Sequence, residues 1–359
     1  LGLADVVELA ILERSGFDES RHLGAAVVVG PDGSVLRALG SPDALIYGRS
    51  SLKLFQAITV LRSGVDLHGA QLVLASASHA GTPRHVDVVR ELLQRAGLDE
   101  NALQCPLDWP LDSAARSAAS APARVTMNCS GKHSAFLLAC THNDWPTESY
   151  LDPSHPLQQR IRSTVEEFAG ESVAHVGVDG CGAPLFALTV RGLAIAVSRM
   201  LVAASAPAGD PDAARLVAPP AGHPPAGDPD AARLDAPPAG LPLAGDPDAA
   251  RLVSAILADP WALDGPGRAN TVVIDELGLV AKGGAEGVLV IAAPDGTTVA
   301  LKMLDGSARA TSLVALHLLA SVGAISEADA ERVGALTTPK VMGGSAVVGR
   351  FRVVEAVRG

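Results

Sequence analysis

Ser50-Ser51-Leu52-Lys53 sets a hydroxyl and an amine three residues apart. On a helix, positions i and i+3 share a face, so Ser50 Oγ and Lys53 Nζ can approach each other. A serine hydroxyl is a weak nucleophile until a base takes its proton, and a buried neutral lysine can be that base. The residues that follow, Leu54, Phe55, Ala57, Ile58, Val60 and Leu61, are too apolar to surround an idle charge. Lysine is also scarce, because 23 of the 28 basic residues are Arg and only five are Lys. Arg keeps its proton in a protein, whereas Lys sheds it once buried or set beside another cation. Three of the five lysines sit among small residues: Lys53, Lys132 in Asn128-Cys129-Ser130-Gly131-Lys132-His133, and Lys282 in Ala281-Lys282-Gly283-Gly284. Together they point to lysine chemistry.

Lys282-Gly283-Gly284 follows a strand-like run late in the chain, where Ser-Lys acyl transferases carry an edge strand that faces the Ser-x-x-Lys helix. Its glycines allow close approach to a substrate. Cys129 to His133 leads into an apolar helix start, and free amides at a helix N-terminus stabilise an anion. Cys181 lies in a second Gly-rich turn, Asp179-Gly180-Cys181-Gly182. Two thiolates can hold a soft metal such as zinc, with His133 or Lys132 as a third ligand. A lysine ligand must first lose its proton. Ser76-Ala77-Ser78-His79, after Leu72 to Ala75, can deliver a serine and a histidine from the end of an element into a cleft.

The elements that must position these groups can be read coarsely. Val6 to Leu12 predicts a strand. Leu23 to Val29 and Val35 to Leu39, joined by Asp32-Gly33, predict a hairpin. Ser50 to Arg62 predicts a helix buried on most sides, and Val86 to Ala96 a more amphipathic one. Residues 173–178, Thr271 to Ile274, Gly287 to Ala292 and Thr298 to Met303 read as strands, with a turn at Pro294-Asp295-Gly296. Ala308 to Val322 reads as a long apolar helix, and Ser326, with Asp329 three residues on, starts another. Strands at both ends and helices between predict an α/β sandwich in which the N- and C-terminal strands share one sheet, over a single domain of residues 1–359 with a helical region at about 54–170.

Ala-Gly-Asp-Pro-Asp-Ala-Ala-Arg-Leu occurs three times, from Ala208, Ala226 and Ala244, with a period of 18 residues. One Leu and a few Ala per unit, among several Pro, cannot build a core. The reading is a tandem expansion: residues 206–243 form a surface loop, and the third copy belongs to the fold. There Asp246 caps a helix, Pro247 takes its first position, and the helix runs on from Ala249 to Ala258.

A net charge of −11 argues against nucleic acid or an anionic membrane as partner. No run approaches 18 apolar residues, and Leu1 to Ala10 lacks the basic start of a signal peptide. Cys105, Cys129, Cys140 and Cys181 show no CxxC spacing, so a disulfide framework is not expected. The expectation is a soluble, cytoplasmic protein.

Taken together the motifs resemble the Rhizobium-type, or class 3, L-asparaginases over nearly the whole chain apart from the repeats. The matching strings are Gly48 to Lys53, Ala77-Ser78-His79 with Pro83-Arg84-His85, Asn128 to His133, Val178 to Pro184, Gly265-Pro266-Gly267-Arg268, Ala281 to Gly287 and Asp305-Gly306-Ser307. The chain departs from the pattern in the repeat insert and at Thr82, where an acidic residue is expected. The resemblance implies a fold like the serine β-lactamases and glutaminases, and hydrolysis of L-asparagine to L-aspartate and ammonia. It implies two Ser-Lys pairs, Ser50 with Lys53 and Ser78 with Lys282, and a supporting zinc site of Cys129, Lys132 and Cys181. Ser50 is then expected as nucleophile, Lys53 as its base, and Ser78 with Lys282 as a proton relay. Arg49, His79, Asn128, Lys132 and His133 are expected around the substrate, and a homodimer is implied. Other readings of the same motifs are a glutaminase, a β-lactamase-like amidase or esterase, and a silent zinc-binding homologue.

Overall fold

The computed structural model describes residues 1–205 and 245–359. The expected surface loop at 206–243 therefore lies outside the described residues. Val7–Arg14 (β1) pairs antiparallel with Phe17–Val29 (β2), and β2 pairs through its second half with Val35–Leu39 (β3). This is the expected hairpin at Asp32-Gly33. β2 begins earlier than its apolar run because the polar residues from Asp18 onward pair their backbone with β1 at the surface. A short strand, Leu45–Tyr47 (β4), leads to the first functional motif.

The helical middle consists of Lys53–Arg62 (α1), Gly69–Ala75 (α2), Pro83–Arg95 (α3), Ser113–Ala118 (α4), Ser130–His142 (α5) and Pro156–Ala169 (α6). His175–Val178 (β5) and Pro184–Thr189 (β6) follow, then Val190–Ser205 (α7). β4, β6 and β5 make a small antiparallel sheet, of which the sequence patterns announce β5 at residues 173–178 and not its two partners. After the repeats come Pro247–Ala258 (α8), Ala269–Leu277 (α9), Val280–Gly284 (β7), Val288–Ala292 (β8), Thr298–Met303 (β9), Thr311–Ser321 (α10) and Glu327–Thr337 (α11). Val341–Gly343 (β10), Ala346–Val353 (β11) and Glu355–Arg358 (α12) end the chain.

The main sheet runs β10-β11-β1-β2-β9-β8-β7, with β3 beside β2. β1 pairs with β11, so the N- and C-terminal strands do share one sheet. Successive side chains on a strand face opposite ways. All of β8 is buried, as is the second half of β2, so both faces must be covered. α7 packs on β2, β8 and β9, and α10 on β8, β9 and β11. The result is an α/β sandwich with β7 at the sheet edge. Among the described residues, no helix is long and apolar enough to cross a membrane.

Two local expectations are corrected. Thr271 to Ile274 is not a strand but part of α9. Its β-branched residues favour strands, yet Thr271, Ile274 and half-buried Leu277 recur at helical spacing, and left-handed Gly278 closes the helix. The helix expected over Ser50 to Arg62 is divided, because a 3₁₀ turn at Arg49–Leu52 precedes α1. Asp246 does cap α8 through Asp248 N (2.9 Å) and Ala249 N (3.0 Å), and Ser326 caps α11 through Asp329 N (3.0 Å).

Candidate active site

Four elements converge on one serine. Ser78 lies just past α2, where the chain leaves the helix at Ser76. Its backbone is pinned by Ser78 N donating to Leu263 O (2.9 Å) and His79 N donating to Asn128 O (3.1 Å). Lys53, in the first turn of α1, brings Nζ to 3.0 Å from Ser78 Oγ. Lys282, on β7, brings its Nζ to 2.9 Å from the same oxygen. Lys53, Lys132 and Lys282 are all fully buried, at 0–1% exposure, while Ser50 and Ser78 remain half-buried.

The first Ser-Lys pair is not arranged as its spacing predicts. Lys53 Nζ contacts Ala77 O (2.7 Å), Ser78 Oγ (3.0 Å) and Cys129 Sγ (3.0 Å), and Ser50 Oγ is not among its partners. An ammonium has three protons, and three acceptors already engage them. Ser50 sits in the 3₁₀ turn, beside Arg49. Arg49 has a φ of 50°, a strained value for a non-glycine residue of the kind found at functional sites. Its guanidinium pairs with Asp179 (3.0 Å), so Arg49 joins the turn before α1 to the turn that carries Cys181. Gly284 permits this closeness, since a Cβ there would stand 3.1 Å from the Arg49 Cβ.

The lysines differ in charge. Burial first, and the Lys53 charge next, bring Lys282 down to about 7. Lys282 Nζ donates to Gly283 O (3.0 Å) and to Ser78 Oγ (2.9 Å), and Lys53 Nζ donates to the same oxygen (3.0 Å); above pH 7 the mainly neutral Lys282 has a lone pair that can take the Ser78 proton.

A second cluster stands behind the first. Cys129 ends the turn before α5, and Gly131 lets α5 lie against α2: a Cβ there would meet Leu74 Cγ at 2.5 Å. Lys132 Nζ lies 3.0 Å from Cys181 Sγ. The Cys129 thiol and then the Lys132 ammonium hold Cys181 far below the ordinary thiol range, as a thiolate, whereas Cys181 and burial push Cys129 up. Burial is the largest influence on Lys132 and opposes its charge, but Cys181, Cys129 and Asp179 together outweigh it, so the amine stays protonated above its usual value. Among the described residues no three His, Cys, Asp or Glu side chains converge as metal ligands, so a site of three protein donors here must count Lys132. Two thiols and one amine are a donor set that fits a soft divalent cation only once the Lys132 ammonium gives up its proton to it.

Of the residues expected around the substrate, Asn128 and Arg49 are half-buried. Asn128 Oδ1 accepts from Cys129 Sγ (3.1 Å). His79 is corrected: it is fully buried and both ring nitrogens are engaged, so no polar ring atom is left for a substrate. Nδ1 accepts from Gly81 N (3.1 Å), which assigns the proton to Nε2 and makes it the donor to Ser130 Oγ (2.9 Å). Burial, then His85 and Lys53, keep this ring neutral. His133 is likewise buried, with Nδ1 on Tyr150 Oη (2.7 Å). Thr82, where an acid is expected, caps α3 and bonds His85 Nδ1 (2.7 Å). Sequence reasoning passes over Tyr150, Asp264 and Asn270. Only the Gly265 to Arg268 string, between the last two, marks their loop.

Fold and site thus define an α/β protein that sets two buried lysines on one half-buried serine, with a thiolate–ammonium pair behind them. The sequence model of L-asparaginase II matches residues 10–226 and 231–353, and the chain belongs to that family. No curated protein matches the sequence. Among solved structures it is similar to Mglu in its native form, with 14% identity and a TM-score of 0.43 over 82% of this chain. It is also similar to Mglu in its glutamate form, with 12% identity and a TM-score of 0.44 over 89% of this chain. In both cases the chain spans 63% of the other's length.

Proposed function

We propose that this protein is an L-asparagine amidohydrolase that releases L-aspartate and ammonia through an acyl-enzyme. Membership of the L-asparaginase II family supports the substrate class. The observation that carries the mechanism is Ser78 Oγ, held within 3.0 Å of both Lys53 Nζ and Lys282 Nζ.

Neutral Lys282 takes the Ser78 proton as Oγ attacks the side-chain amide carbon. The tetrahedral adduct collapses, Lys282 returns that proton to the amide nitrogen, and ammonia leaves. Water then attacks the Ser78 ester with Lys282 again as base, and aspartate departs. Lys53 remains charged and donates to Ser78 Oγ, which stabilises negative charge as the attack develops. This exchanges the roles expected for the two pairs, since Lys53 Nζ bonds Ser78 Oγ and not Ser50 Oγ. Ser50 and Arg49 take the substrate side of the cleft, with Arg49 set to receive a carboxylate. His79 positions Ser78 through Ser130 instead of binding substrate. Asn128, Lys132 and His133 form the wall behind.

Cys129, Lys132 and Cys181 would hold zinc, with His133 Nε2 beside them. Bound zinc would supply a fixed positive centre that orients the substrate without furnishing the attacking water. A small-molecule substrate, a cytoplasmic setting and a homodimer complete the proposal. Sedimentation at twice the monomer mass tests the last. The activity itself is tested by ammonia release from asparagine and from glutamine in parallel. Preference for glutamine, or no release from either, overturns the reading.

A further inference from the structure

An edge strand leaves backbone groups open to whatever lies beside it. β7 is such an edge, and it carries Lys282. On its open side stands the loop that leads into α9. Gly283 N donates to Asn270 Oδ1 (3.0 Å), while the Gly283 carbonyl accepts from Lys282 Nζ (3.0 Å). Asn270 is itself held: its Nδ2 donates to Asp264 Oδ2 (2.9 Å), and its backbone N donates to the same oxygen (3.3 Å). The other carboxylate oxygen of Asp264 accepts from Arg268 Nε (2.6 Å). Asp264 is only 4% exposed, whereas the Arg268 side chain is 41% exposed. A carboxylate is kept buried only at a cost, which pairing offsets. Here a guanidinium and an amide offset it, and the amide passes the restraint on to the strand next to the reactive amine.

The charges around Lys282 come from three elements. Lys53 on α1 and Lys132 on α5 favour the neutral amine. Asp264 in the loop and Cys129 before α5 favour the ammonium. Val290, its partner on β8, carries no charge. Asp264 is thus the nearby carboxylate that opposes the two lysines.

We propose that Asp264 and Asn270 are positioning residues for Lys282. Asn270 fixes the β7 edge so that Nζ reaches Ser78 Oγ, and buried Asp264 sets the electrostatic balance around the amine. The inference rests on the reading of Lys282 as the base for Ser78.

The test is the pH profile of ammonia release from L-asparagine for wild type, Asp264→Asn, Asp264→Glu, Arg268→Gln and Asn270→Ala. The acidic limb of the wild type is expected near the Lys282 value of about 7. Asp264→Asn moves that limb down by about one unit, and Asp264→Glu, which keeps the charge, leaves it in place. Arg268→Gln bares the carboxylate and moves the limb up. Asn270→Ala lowers kcat on the order of tenfold with KM within about twofold, since it loses both side-chain hydrogen bonds, the one that fixes Gly283 and the one to Asp264. A merely structural role would lower kcat without moving the limb. If Asp264→Asn is unfolded by circular dichroism, Arg268→Gln decides, because the Arg268 side chain is 41% exposed whereas Asp264 is buried. A limb that stays in place in the folded charge variants overturns the inference. Absence of ammonia release from the wild type overturns instead the activity on which it rests.

Discussion

Lys282 Nζ stands 2.9 Å from Ser78 Oγ although 204 positions separate the two residues in the chain. The sheet edge delivers the amine and the end of α2 delivers the hydroxyl, so neither motif is complete without the other. Lys282→Met is expected to lower kcat by about 10²–10⁴-fold, the usual worth of a positioned base, with a much smaller change in KM. Steady-state ammonia release measures both.

The two serines are separable. Ser78→Ala is expected to cost at least about 10³-fold in kcat, as the loss of a nucleophile does, while Ser50→Ala retains measurable turnover. Mass spectrometry of a quenched reaction should find the acyl group on the peptide that contains Ser78. An adduct on the Ser50 peptide would reverse the assignment.

Lys282 also ties stability to pH. Its folded value of about 7 lies below its ordinary value of 10.5, so the folded state binds fewer protons than the unfolded chain between those two values. Stability from this group is therefore gained as pH rises from about 7 toward 10.5, and its burial penalty is fully present below about 7. The swing is on the order of 5 kcal/mol. Lys282→Met should unfold at higher denaturant than wild type at neutral pH, with the difference fading in alkali.

Metal removal gives a fourth expectation. Wild type is expected to bind one zinc per chain, and Cys129→Ser or Cys181→Ser to weaken that binding by at least about 10–100-fold. Metal analysis after dialysis reads this directly. A chelator should raise KM more than it lowers kcat if the ion orients substrate; the opposite pattern would make it part of the chemistry.

Much of this was legible from particular residues. Asp32-Gly33 fixes a hairpin because its backbone conformations suit few other residues, and Asp246-Pro247 marks the start of α8 for the same local reason. Local signals fail where distant contacts decide. Thr271 to Ile274 has strand-forming residues, but the core accepts them at helical spacing. The direction of Lys53 was not legible at all: its position on α1 is local, whereas its three acceptors come from the end of α2 and the start of α5. His79 was misplaced for a similar reason. A histidine beside a catalytic-looking serine reads as a substrate contact until Gly81 and Ser130 are seen to engage both its nitrogens.

Asp246 caps α8 and also accepts from Arg62 at the end of α1 (2.7 Å), so the third repeat is tied to the core at its first helical turn. Each repeat carries the same Gly-Asp-Pro-Asp-Ala-Ala-Arg-Leu string. Whichever unit directly precedes Val253 therefore brings the same cap and the same carboxylate for Arg62. In-frame gain or loss of whole 18-residue units by replication slippage would leave that junction chemically unchanged, so copy number can drift between closely related genomes without selection at the catalytic centre registering it.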